Sequence, residues 1–113
     1  MKFVPWFLRA VLDKNATMPQ IKLAQYLAER SDDSGLITSK DLRLPLADPT
    51  VIAAMIGVSK TTLDASLFKL EAQGLIEWTR PERGKIYSND TKIQLILSEG
   101  DHLTIPDTFE KTL

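Results

Sequence analysis

The chain has 113 residues, 43% of them apolar and 26% charged, with a formal net charge of −1. That is enough for one domain with one modest core, and the near-neutral charge marks no polyanion binder by itself. The absence of cysteine excludes disulfides and thiolate metal sites and fits a cytoplasmic protein, a single histidine (His102) leaves no imidazole set for a metal or a triad, and no apolar run approaches the ~18 residues of a membrane span.

Residues 3–14 predict a helix crowded on nearly all sides with Phe3, Val4, Trp6, Phe7, Leu8, Val11 and Leu12. Two expectations follow. Trp6 and Phe7 cap the domain's own core, or Phe3, Trp6, Phe7 and Val11 are surplus and form a contact with a second copy or a protein partner. Thr17-Met18-Pro19-Gln20 has the spacing of a capping box and predicts a helix to about Arg30, with Ile21, Ala24, Leu27 and Ala28 inward. Ser31 to Gly35 reads as a loop, Leu36-Ile37-Thr38 as a short strand beside the later hairpin. Leu42, Leu44 and Leu46 alternate as an extended segment interrupted by Pro45.

Asp48 is a good N-cap and Pro49 suits the first helical position, so a short apolar helix starts there and stops at Gly57, which tolerates left-handed backbone. Ser59 caps the next helix, 60–72, whose Leu63, Leu67 and Leu70 form one buried stripe. Leu75 to Thr79 reads as a strand, Arg80-Pro81-Glu82-Arg83-Gly84 as a turn, and Lys85-Ile86-Tyr87 as the strand coming back. Asn89 or Asp90 can cap a last helix from Thr91 to Glu99 with Ile93, Ile96 and Leu97 inward, although Ile93 to Leu97 is apolar enough for a strand. Residues 101–113 read as a tail in which Pro106 opens one helical turn. The expected fold is mostly α (α+β): a winged helix-turn-helix, with a three-helix core and a small β-hairpin wing. An N-terminal helix (1–16) precedes the domain (17–99), and a C-terminal tail (100–113) follows its short last helix.

Several of these stretches resemble a known family. Ile52-Ala53-Ala54-Met55-Ile56-Gly57-Val58-Ser59, a Thr-containing helix, and Leu70-Glu71-Ala72-Gln73-Gly74-Leu75-Ile76-Glu77 are similar to the C-terminal DNA-binding domain of the cyclic-AMP receptor protein (Crp/Fnr) family. The likeness extends to Ile21 through Arg30, to Leu44-Pro45-Leu46 and to Arg83-Gly84-Lys85-Ile86, roughly residues 20 to 95 in all. The resemblance implies a DNA-binding transcriptional regulator. In the family, the region matching residues 3–14 joins an effector-binding barrel to the DNA-binding domain. That barrel is not in this sequence, so the chain is expected to be an excised fragment or to lack a sensor domain.

The resemblance directs attention to the early residues of helix 60–72, which in helix-turn-helix proteins meet base edges in the major groove. The family's usual Arg-Glu-Thr after the capping Ser, with another Arg three residues past that Thr, is here Lys60-Thr61-Thr62 with Ala65. Lys60 can donate to a guanine or a phosphate, Thr61 can touch a thymine methyl, and Asp64 can accept from a cytosine amine. Ser59, Thr61 and Thr62, together with Lys69, Arg80, Arg83 and Lys85, complete the expected set for duplex DNA. The wing segment 80–85 is net basic and the tail from residue 86 net acidic. On the helical wheel Phe68 lies opposite the Leu stripe, which points instead to a protein contact or to cover by the N-terminal helix or the tail. No nucleophile and base pair, glycine-rich phosphate loop or metal set is visible. The expectation is a homodimeric DNA-binding protein, not an enzyme, with no cofactor, small-molecule ligand or membrane partner, and with a winged-helix protein-interaction module as the alternative.

Overall fold

The computed structural model describes residues 2–38, 46–79, 91–98, 100 and 101. Four helices, α1 (Val4–Val11), α2 (Met18–Arg30), α3 (Pro49–Ile56) and α4 (Lys60–Ala72), pack with three strands, β1 (Leu36–Thr38), β2 (Ile76–Thr79) and β3 (Lys92–Leu95). The helices start where local chemistry provides an acceptor for their first N–H groups. Thr17 accepts from the Gln20 N–H, Asp48 from Thr50, and Ser59 from Thr62. The second half of the expected capping box is missing, because the Gln20 carboxamide turns inward and donates to the Ala10 carbonyl at 3.0 Å.

The core is shared by every layer. Trp6 comes from α1, Leu23 and Leu27 from α2, Ile52 from α3, and Leu63, Leu67 and Leu70 from α4, closed by Ile37, Ile76, Ile93 and Leu95 of the sheet. The aromatic residues of α1 are thus absorbed within one chain. Trp6 is 0% exposed and its indole N–H donates to the Leu75 carbonyl at 2.9 Å. Phe3 is buried as well, in left-handed backbone at φ 54°, and Phe7 and Val11 pack against the cluster. Phe3 and Trp6 are therefore core residues of this chain, Phe7 and Val11 are partly buried against the core, and Leu8 and Leu12 stay exposed.

The C-terminal element is a correction. Residues 92–95 form a strand, not the expected helix, and it is the central one: the sheet order is β1-β3-β2, antiparallel throughout. Ile93 stands opposite both Ile37 and Trp78, and Gln94 opposite Leu36 and Glu77. The burial alternates with period two, since Ile93 and Leu95 are buried whereas Lys92 and Ile96 are exposed. A helix there would leave β1 and β2 with unpaired backbone edges. β1 consequently lies beside β3. The expected return strand 85–87, the wing turn, the extended segment at Leu42 and Leu44, and the caps Asn89 and Asp90 lie outside the described residues.

Asp101, expected in the tail, packs on the domain. Asp101 is 1% exposed and grips the Arg9 guanidinium of α1 with both carboxylate oxygens, at 2.6 and 2.8 Å. It also accepts from the Ser98 N–H, and Gly100 at φ 91° makes the turn that brings it back. Among the described residues no single helix is long and apolar enough to cross a membrane.

Candidate nucleic-acid interface

The α3–α4 pair is built from three local signals. Pro49 follows the Asp48 cap, Gly57 ends α3 in left-handed backbone at φ 76°, and the Gly57 and Val58 N–H groups both return to the Ala53 carbonyl. Val58 packs on the core, and Ser59 opens α4. Gly57, Val58 and Ser59 are the whole connection, and across it the chain bends by 106°. Leu63, Leu67 and Leu70 are fully buried, so α4 is fixed by one face while the other stays outside. Lys60, Thr61, Thr62, Ala65, Phe68 and Ala72 form that outer face.

The chemistry of the face differs from the basic one expected for a DNA reader. The Lys60 ammonium is bound to the Asp64 carboxylate at 2.9 Å, an i, i+4 pair that cancels its charge at the start of the helix. The Lys69 ammonium donates to the Asn15 carbonyl at 2.7 Å and so fastens the α1–α2 loop to α4. Gln73 adds a second fastening by donating to Asp13 at 2.8 Å. The Asn15 backbone N–H, with help from Gln73, Lys69 and Lys14, holds the Asp13 carboxyl below its usual range. Ser59 and Thr62 are bonded to each other through their hydroxyls at 2.9 Å, besides the cap itself.

Phe68 is 50% exposed and meets Trp78 of β2 edge to face, with ring centroids 5.3 Å apart and planes at 69°. Glu71 reaches the same corner, its carboxylate accepting from the Trp78 backbone N–H at 3.4 Å. The outer face of α4 is thus a stripe of methyls and one ring, with a neutralised ion pair at its N-terminal end. Of the residues expected to touch DNA, Ser59, Lys60, Thr61, Thr62 and Asp64 stand together at the start of α4, and Lys69 is drawn to the α1–α2 loop. Arg80, Arg83 and Lys85 lie outside the described residues. Of the expected partner contacts Phe68 is exposed, Phe7 and Val11 are partly buried, and Phe3 and Trp6 are buried.

Sequence reasoning missed Gln73, Asp13 and Asn15 as the strap on α4, and Arg9 with Asp101 as the clamp on α1. The signal was present in one place, where Arg9 is the single cation within the otherwise apolar α1. Among the described residues no group of His, Cys, Asp or Glu side chains could hold a metal ion. A search of protein-family models finds no match for this chain, and neither does a search of curated proteins or of solved structures.

Proposed function

We propose that this chain is a winged-helix DNA-binding regulator of the Crp/Fnr type, a cytoplasmic binding protein and not an enzyme, which grips duplex DNA through α4 and the basic residues 80–85 that follow β2. The observation that carries this reading is the α3–α4 geometry. Two short helices joined by a three-residue glycine turn at 106° fall within the roughly 90–120° of DNA-binding helix-turn-helix units. Such a unit presents the N-terminal half of its second helix to the major groove, and in this chain that half is exposed from Lys60 to Ala65 apart from Leu63 and Asp64. The Ser59, Thr61 and Thr62 hydroxyls and the first N–H groups of α4 are suited to phosphate oxygens.

A second reading is favoured by a different observation. The neutralised Lys60 and the half-exposed Phe68 beside Trp78 also suit a protein surface, in which an aromatic anchor carries the binding. Gel retardation of a random-sequence duplex by the full chain separates the two. The DNA reading predicts retardation at about 50 mM salt that weakens on raising the salt, with a log–log slope near −3 if Arg80, Arg83 and Lys85 supply most of the phosphate contacts. No retardation at about 50 mM would hand the surface to a protein partner.

A further inference from the structure

Resting on the DNA-binding reading, we propose that α4 selects its site through the 5-methyl groups of thymine, so that the preferred duplex is rich in A·T pairs and is read by apolar contact instead of hydrogen bonds. The inference follows from what α4 contains and what its side chains are already doing. Direct readout of guanine uses Arg or Lys, of adenine Asn or Gln, and of cytosine Asp or Glu. The α4 sequence, Lys-Thr-Thr-Leu-Asp-Ala-Ser-Leu-Phe-Lys-Leu-Glu-Ala, has no Arg, Asn or Gln. Lys60 and Asp64 pair with each other, Lys69 donates to the Asn15 carbonyl, and Glu71 accepts from the Trp78 backbone N–H, so each charged side chain of the helix that could read a base already has a partner.

Besides Lys60 and Thr62 near its start, the helix presents outward Thr61, Ala65, Phe68 and Ala72. At 3.6 residues per turn these four fall within an arc of about 60°, directly opposite the Leu63–Leu67–Leu70 stripe. Thr methyl, Ala methyl and Phe ring are the groups that meet a thymine methyl. At about 1.5 Å rise per residue, Thr61 to Phe68 spans about 10 Å, or three base steps of about 3.4 Å. The edge-to-face contact with Trp78 steadies the Phe68 ring at the far end of the stripe. Burying such a methyl is worth roughly a fourfold change in affinity, so two or three contacts give an order of magnitude or more.

The test is competition binding by fluorescence anisotropy with alternating poly(dA-dT) and poly(dA-dU), which differ only by the thymine methyl. The full chain should bind the thymine polymer about tenfold more tightly. Thr61→Ser combined with Ala65→Ser replaces the apolar groups at two exposed positions with hydroxymethyl groups and should abolish most of that preference. Equal binding of the two polymers by the parent chain would overturn methyl readout and leave DNA binding standing. A preference that survives in the double variant would overturn it too, since the polymers would then be told apart by shape. Binding to neither polymer at about 50 mM salt would overturn both this inference and the DNA reading beneath it.

Discussion

Gly57 stands at φ 76° with nothing within 4 Å of where a Cβ would be, so a side chain there meets backbone strain and not crowding. Gly57→Ala should lower stability by about 1–2 kcal/mol in a urea titration, and an unchanged midpoint would show that the turn relaxes to ordinary backbone. Asp64 has the opposite character. Its pair with the exposed Lys60 ammonium is worth only a few tenths of a kcal/mol to the fold. Asp64→Ala should therefore leave stability nearly untouched while tightening DNA binding, because it releases an ammonium at the start of α4; weaker binding would place Asp64 among the base contacts. Asp32 shows the pH dependence. The Ser34 hydroxyl first, then the Leu36 N–H, hold its carboxyl below its ordinary value of 3.8. A carboxylate lowered in the folded state stabilises it fully above 3.8 and loses that contribution as pH falls below that value. Asp32→Asn should thus narrow the stability gap between neutral and acid solution, measured as urea midpoints at the two pH values. The caps and the glycine turn were legible in the sequence because each is decided by residues two to four apart.

At the scale of elements that locality fails. Ile93-Gln94-Leu95-Ile96-Leu97 carries apolar residues enough for either period, and its fate is decided by β1, whose Ile37 pairs with Ile93 from far away in the chain. The Asp101 clamp was illegible for the same reason, as its partner Arg9 lies 92 positions away in the sequence. A helix apolar on most sides leaves core cap and partner contact both open when its neighbours are unknown; Trp6 is sealed between α2 and the Leu75 carbonyl, while Leu8 and Leu12 stay exposed. Arg9→Ala tests the clamp: it leaves the carboxylate of a buried Asp101 without its bidentate partner and should lower the urea midpoint, whereas Arg9→Lys should recover only part of the loss. Equal midpoints for all three chains would show that the clamp contributes nothing measurable.

For the whole molecule, α1 is an integral wall. Deleting residues 1–14 removes Phe3, Trp6 and Ala10 from the core and opens the sheet entry at Leu75, so the remainder should fail to fold cooperatively by calorimetry. A well-folded truncated chain would instead restore α1 as an appendage available to a partner. Held this way, the molecule turns one face of α4 outward while the strap from Asp13 and Asn15 and the Leu stripe hold it in place. The claim that this face meets duplex DNA is tested most directly by amide chemical shifts of the labelled full chain titrated with an A·T-rich duplex. Shifts concentrated from Ser59 to Phe68, with α1 and α2 unmoved, are the predicted result. Shifts confined to α1 and α2, or none at all at about 50 mM salt, would contradict it.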